Sequence, residues 1–213
     1  MKLSKENFIL YAITDRSWLN GRTLENQIED AIIGGATFIQ LREKNLKYDD
    51  FLDEAIKVRK ICNRYKIPFV IDDNVEIALK SGADGVHLGQ NDMSIQEARN
   101  ILGENKIIGA TARTVQQAIN AEKESANYIG SGAVFNTCTK TDTIPLSYEN
   151  LCKICNSVSI PVIAIGGINS DNICLLKSSG ISGIAVISAI FNSDNIKESA
   201  HSLKKITLEM LEG

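Results

Sequence analysis

Gly34-Gly35-Ala36-Thr37-Phe38-Ile39-Gln40-Leu41-Arg42-Glu43-Lys44 carries a helix end, a strand and a polar rim in one unbroken stretch. The glycines close the preceding helix, since glycine tolerates the left-handed conformations that helix ends require. The apolar run 37–39 then reads as a strand. Strand side chains alternate between faces, so Gln40, Arg42 and Lys44 project together while Leu41 and Glu43 alternate with them. A carboxamide, a guanidinium and an ammonium converge on one point, and a bidentate fork beside a compact charge suits a phosphate or diphosphate. Taken alone, the same pattern also describes a polar strand end with solvated charges.

Outward from this stretch the same unit recurs. Apolar runs of strand length fall at residues 8–14, 37–41, 69–71, 85–88, 106–110, 128–132, 162–165 and 184–187. Between them lie segments of helical period, such as Leu52, Ala55, Ile56 and Val58 followed by Ile61 and Cys62. Gly34-Gly35-Ala36-Thr37, Ser81-Gly82-Ala83-Asp84, Glu124-Ser125-Ala126-Asn127 and Ser179-Gly180-Ile181-Ser182 each end a helix and lead into an even-numbered strand. Pro68 and Pro161 stand at the entrances of odd strands, where a missing N–H does least harm. Strict alternation of helices with short strands apolar on both faces predicts a parallel sheet, and about eight units in a chain of this length predict a single closed (β/α)8 TIM barrel. An open doubly wound sheet would carry a glycine fingerprint after its first strand, and Thr14-Asp15-Arg16-Ser17 is not one.

Composition narrows the function classes. The 213 residues are 44% hydrophobic and 23% charged, enough for one substantial core and a single domain over residues 1–213. Net charge is −3 and no basic block occurs, which argues against nucleic acid as a partner. Five cysteines, an odd number, predict a reduced, cytoplasmic inventory rather than a disulfide framework. Cys152 and Cys155 form a C-x-x-C inside a helical pattern with no second pair and no nearby histidine, so a buried helix face is expected there. Lys2 and Lys5 precede an apolar run that Asp15 and Arg16 end too early for a signal peptide or membrane span. A homo-oligomer is left open, because no helix face is apolar beyond what barrel packing explains.

Active sites of such barrels lie on the carboxyl-terminal face, in the loops after each strand. Those loops hold Gln40, Arg42 and Lys44, then Asp72, Asp73 and Asn74, then Gln90, Asn91 and Asp92. Thr111 ends the fifth strand, Thr137, Thr139 and Lys140 follow the sixth, Gly166 and Gly167 the seventh, and Ser188 the eighth. Asp73 and Asp92 could share a Mg2+ that takes its other ligands from water and substrate phosphate, and capping of the following helices is the competing use of both aspartates. Gly166-Gly167, opening a helix capped by Asn169 or Ser170, together with Ser188, matches the usual monophosphate position of the fold. One rim is expected to hold a diphosphate and a monophosphate.

The chain resembles the thiamine phosphate synthase family over nearly its whole length. The motifs that carry the resemblance are Tyr11-Ala12-Ile13-Thr14-Asp15, Gln40-Leu41-Arg42-Glu43-Lys44, Gly82-Ala83-Asp84-Gly85-Val86-His87-Leu88-Gly89-Gln90, Phe135-Asn136-Thr137-Cys138-Thr139-Lys140, Ala164-Ile165-Gly166-Gly167-Ile168 and Ile187-Ser188-Ala189-Ile190. The resemblance implies a transferase that joins 4-amino-2-methyl-5-hydroxymethylpyrimidine diphosphate to 4-methyl-5-(2-phosphooxyethyl)thiazole, giving thiamine phosphate and pyrophosphate. It implies that Gln40, Leu41, Arg42, Glu43, Lys44, Asp72, Thr111 and Lys140 hold the pyrimidine diphosphate, with Arg42, Lys44 and Lys140 carrying the catalysis. Asp73 and Asp92 would then hold Mg2+, and Thr137, Cys138, Thr139, Gly167, Ile187 and Ser188 the thiazole phosphate. The family's reaction is dissociative, pyrophosphate leaving before the thiazole nitrogen attacks, and such chemistry needs charge stabilisation rather than a nucleophilic side chain.

Three departures stand out. Asp72 replaces a usual asparagine, Thr111 a common serine, and the segment Asn136-Thr137-Cys138-Thr139 lacks the family's prolines. His87 reads as packing or orienting rather than catalytic. The alternatives are a thiazole tautomerase on the same fold, with little need of the anion cluster and both aspartates, a Schiff-base barrel enzyme, which would want a lysine inside a strand, and a non-catalytic phosphate-ligand barrel.

Overall fold

Alternation within each strand sorts the buried side chains into two cores. In the computed structural model, which describes residues 3–136 and 145–212, eight parallel strands pair in chain order and close on themselves. They are β1 (Leu10–Ile13), β2 (Phe38–Leu41), β3 (Phe69–Asp72), β4 (Gly85–Leu88), β5 (Ile107–Thr111), β6 (Tyr128–Gly132), β7 (Val162–Ile165) and β8 (Gly183–Val186). Closure comes at the seam between β1 and β8, where Leu10 faces Ile184 and Ala12 faces Val186. Tyr11, Ile13, Phe38, Val70, Ile107, Tyr128, Ile163 and Ala185 fill the interior, while their neighbours Leu10, Ala12, Ile39, Leu41, Ile71 and Val86 pack outward under the helices. The (β/α)8 expectation holds.

The helices are α1 (Leu24–Gly34), α2 (Tyr48–Tyr65), α3 (Val75–Lys80), α4 (Ile95–Leu102), α5 (Val115–Lys123), α6 (Tyr148–Ser157), α7 (Ser188–Phe191) and α8 (Ile196–Glu212). Each capped start is local chemistry: Thr23, Asn74, Ser94, Thr114 and Ser147 accept a backbone N–H two or three residues into α1, α3, α4, α5 and α6. Along α2, Ala55, Val58, Ile61 and Cys62 are buried as the helical period read from the sequence predicts, whereas Leu52 and Ile56 are only half-buried and Phe51 takes the buried place one residue earlier.

Three expectations are corrected. The first strand starts at Leu10, because Lys5–Phe8 form a 3-10 turn whose Phe8 ring plugs the amino-terminal end of the barrel, 5.2 Å from Phe38 and 5.0 Å from Tyr128. No α-helix follows Gly166-Gly167. The crossover from β7 to β8 contains only a 3-10 turn, Ile173–Leu176; the Asn169 side chain does accept from the amides of Asp171 and Asn172 as a helix cap would, but no α-helical run continues from it. α8 packs over this turn and against α1. Cys152 and Cys155 lie half-buried on α6, less covered than expected, and the four cysteines among the described residues are free. No described helix is long and apolar enough to cross a membrane.

Candidate active site

The carboxyl-terminal mouth of the barrel opens into a cavity of about 420 Å³ whose floor is Tyr11, Ile13, Tyr128, Ile163 and Ala185. A largely apolar floor under a polar rim suits a heterocycle with charged substituents. The rim is built first from β2. Its alternation persists past the last strand residue because Thr14 N donates to Gln40 O at 3.0 Å and Arg42 N donates to Thr14 Oγ1 at 3.0 Å, which extends the ladder.

Gln40, Arg42 and Lys44 therefore do line the cavity. They converge on Asp72: Gln40 Nε2 donates to Oδ1 at 3.1 Å, Lys44 Nζ lies 3.1 Å from Oδ2 and Arg42 Nε 3.8 Å from it. Arg42 Nη1 also pairs with Asp15 Oδ2 at 3.3 Å. The same alternation corrects two assigned contacts. Leu41 is fully buried in the outer core, and the Glu43 carboxylate turns away to Arg16 Nε at 2.8 Å, so neither side chain lines the cavity. Burial pushes the Glu43 carboxyl above its ordinary range despite the Arg16 bond.

Asp73 and Asp92 are not helix caps. Asn74 caps α3 and Ser94 caps α4, the latter in a reciprocal box with Glu97. Asp73 instead sits in the left-handed region (φ +57°), its N–H donating to His87 O at 2.9 Å, and its carboxylate takes a bond from Lys44. Asp92 Oδ2 accepts from Gly89 N at 2.6 Å. Burial raises the Asp73 pKa, and the charges of Asp72 and Asp92 add to it against the pull of Lys44. Burial works against the Lys44 charge, but Asp73 and Asp72 outweigh it and hold the ammonium above its usual pKa. Two carboxylates, Asp72 and Asp73, thus hold one ammonium, and Asp92 adds a third negative charge near Asp73, which leaves the rim able to take up further positive charge.

Across the barrel mouth, Gly166, Gly167, Ile187 and Ser188 line the cavity's other wall, with Ser188 the first residue of α7. Asn172 Nδ2 donates to Gly167 O at 2.8 Å and fixes the loop. Beyond β6, Val134 N and Phe135 N continue the ladder to Ile165 O and Gly166 O, both at 3.0 Å, carrying the chain toward this wall. Thr137, Cys138, Thr139 and Lys140 lie outside the described residues.

Thr111 ends β5 with its hydroxyl 3.0 Å from His87 Nε2, and the other imidazole nitrogen lies 3.0 Å from the Tyr128 hydroxyl. Gln90 Nε2 donates to Thr111 O. Two groups of cavity residues escaped the sequence. Arg113 lines the rim two residues beyond Thr111, the spacing that betrayed Gln40 and Arg42. Tyr11 and Tyr128 look like ordinary core aromatics in a linear sequence, and only the closed barrel brings their hydroxyls within 2.8 Å.

A family model described as thiamine monophosphate synthase matches residues 10–190. The thiamine-phosphate synthase of Ruminiclostridium cellulolyticum is 49% identical over 203 residues, covering 95% of this chain and 97% of its own. That of Clostridium novyi is 48% identical over 201 residues, covering 94% and 98%. Among solved structures, the thiamine phosphate pyrophosphorylase of Pyrococcus furiosus superposes with a TM-score of 0.90 at 40% identity, over 97% of this chain and 98% of that one. Orotidine 5'-phosphate decarboxylase of Pyrococcus horikoshii, 14% identical with a TM-score of 0.67, shares the fold alone.

Proposed function

The chain belongs to the thiamine monophosphate synthase family and carries thiamine phosphate synthase activity, and on that premise we propose how its rim performs the transfer. The substrates are 4-amino-2-methyl-5-hydroxymethylpyrimidine diphosphate and 4-methyl-5-(2-phosphooxyethyl)thiazole, and the products thiamine phosphate and pyrophosphate. The observation that carries this assignment is the convergence of Gln40, Arg42 and Lys44 on Asp72 and Asp73, opposite the wall of Gly167 and Ser188. A diphosphate belongs at the first wall and a monophosphate at the second. The apolar floor between them keeps the two heterocycles stacked and excludes water.

The donor set fits Mg2+, which binds through one or two carboxylates and takes its remaining ligands from water and substrate phosphates. Asp73 and Asp92 would hold it, and when bound it supplies charge neutralisation to the departing diphosphate. Arg42 and Lys44 are already oriented by Asp15, Asp72 and Asp73, so little reorganisation is needed as negative charge grows on the leaving oxygens. Lys140 joins them in this assignment. No side chain needs to act as a nucleophile, because the thiazole nitrogen attacks the carbon that the diphosphate leaves. A cytoplasmic setting is supported by the four free cysteines among the described residues.

Steady-state kinetics with each substrate varied separately test the two walls. Lys44→Ala should lower kcat with the thiazole KM nearly unchanged, since its bond strengthens in the transition state. Ser188→Ala should raise the thiazole phosphate KM about tenfold, the worth of one lost bond to a charged group. Equal weakening of the same substrate by both variants would refute the division.

A further inference from the structure

Beneath the rim, four side chains form one continuous hydrogen-bonded row. Tyr11 Oη lies 2.8 Å from Tyr128 Oη, Tyr128 Oη 3.0 Å from His87 Nδ1, and His87 Nε2 3.0 Å from Thr111 Oγ1. The deep end is closed: Tyr11 is 2% exposed, Tyr128 is fully buried, and the Tyr11 ring packs 4.4 Å from Phe38. The Thr111 end meets the cavity.

Every member of the row can donate or accept, so its direction is decided by where the protons can go. A neutral imidazole has one N–H. Were it on Nδ1, His87 would donate to Tyr128 and Tyr128 to Tyr11. The Tyr11 O–H would then be left with no acceptor among the described residues and, with the residue only 2% exposed at the cavity floor, almost no access to water, and a buried donor without a partner bears its full desolvation cost. With the proton on Nε2, Tyr11 donates to Tyr128, Tyr128 donates to Nδ1, and the imidazole donates to Thr111 Oγ1. No hydroxyl hydrogen is stranded in the core. The Thr111 hydrogen is then the one left over, with the cavity in front of it. Burial raises the pKa of both phenols, so both protons are present at neutral pH.

We propose that Tyr11 and Tyr128 are positioning residues that hold His87 in its Nε2–H tautomer and thereby commit the Thr111 hydroxyl to donating into the cavity. The identity of the oxygen that receives this bond, on the departing diphosphate, rests on the function proposed above. The tautomer does not. A row anchored in the rigid interior thus fixes the polarity of a rim hydroxyl before any substrate arrives, which is how preorganised donors avoid reorganisation during a reaction.

The chain has two histidines, and His201 is exposed on α8, so long-range 1H–15N NMR of the ligand-free protein reads the His87 tautomer beside an internal reference. The expected result is a dominant Nε2–H form whose signature is lost to a mixture in Tyr128→Phe. A dominant Nδ1–H form in the unsubstituted protein overturns the proposal whatever the substrate. In turnover, Thr111→Val should lower kcat about ten- to a hundredfold with the thiazole KM unmoved, and Thr111→Ser should restore it. Tyr128→Phe should cost about three- to tenfold alone and nothing further in the Thr111→Val background, the non-additivity of residues acting through one bond. Equal losses in both backgrounds would make Tyr128 a packing residue and overturn its positioning role. Unchanged Thr111→Val kinetics would overturn the donation itself. Inactivity of the unsubstituted protein toward both heterocycles would instead refute the proposed function while leaving the tautomer result intact.

Discussion

Replacing Gly167 by alanine separates two costs that glycine avoids at the monophosphate wall. Gly167 has φ +68°, and a Cβ there would lie 2.3 Å from Asn136 O and 2.9 Å from Phe135 Cβ. Gly82, on the loop before β4, has φ +71° and nothing within 4 Å of the same position. Gly82→Ala therefore carries only the left-handed penalty of about 1–2 kcal/mol, a drop of about 2–8 °C in Tm for a chain of this size. Gly167→Ala carries that penalty and a collision. The Asn136 carbonyl must retreat by roughly 0.7 Å to reach the 3.0 Å that real contacts respect, and displacements near an ångström cost up to about a hundredfold in rate. The retreat drags the segment tied to β7 through Phe135 N and Gly166 O, next to the assigned Thr137. Thermal melts and steady-state kinetics on both variants provide the assay. Gly167→Ala should lose about ten- to a hundredfold in kcat/KM for the thiazole phosphate with the pyrimidine diphosphate KM within about twofold, whereas Gly82→Ala should keep normal kinetics. Identical stability and kinetics in the two variants would show that the Gly167 wall takes no part in binding.

Asp73→Asn should raise the Mg2+ concentration needed for half-maximal rate by at least about tenfold with Tm little changed, and excess chelator should abolish turnover; full activity in chelator would refute the metal assignment. Gln40 and Lys44 bond different oxygens of Asp72, so Asp72→Asn keeps an acceptor for only one of them while removing a negative charge beside the diphosphate, and binding measured by calorimetry should be unchanged or tighter. A large loss of rate would make Asp72 a metal ligand. Glu43 tests burial against pairing: its folded-state pKa lies above the ordinary 4.5, so the folded protein binds this proton more readily than the unfolded chain, and stability falls as pH rises from about 4.5 through the raised value. Glu43→Gln should flatten that fall in a Tm profile and cost nothing at neutral pH, and a loss of stability at neutral pH would show that the Arg16 pair outweighs burial.

The barrel was legible because its signals are local. Proline at the entrances of β3 and β7 and apolar runs on both faces each reflect one element's own chemistry, and β4, β6 and β7 fall where the runs fall. The anion wall was legible for a similar reason, since strand alternation groups Gln40, Arg42 and Lys44 before any tertiary contact is known. What alternation gives, it also takes away: Leu41 and Glu43 belonged to the quoted motif, yet the pleat turns them outward. The turn after β7 was misread because glycines at a strand end look alike whether a helix or an Asx turn follows. The left-handed backbone of Asp73 and the row from Tyr11 to Thr111 were beyond reach of the linear text. The first depends on a bond to β4, and the second joins residues 117 positions apart.

The seam between β1 and β8 has a consequence for biosynthesis. Leu10 leaves the ribosome early but pairs with Ile184, so one margin of the nascent sheet stays open while most of the polypeptide is made. Strand margins of that kind invite pairing with other chains. The short β1, only four residues long, limits how much margin is offered during that interval. Quality control of this protein in the cell should thus be most demanding just before residues 183–186 emerge, and ribosome-bound chains halted short of them should be far more sensitive to protease than chains extended past α8.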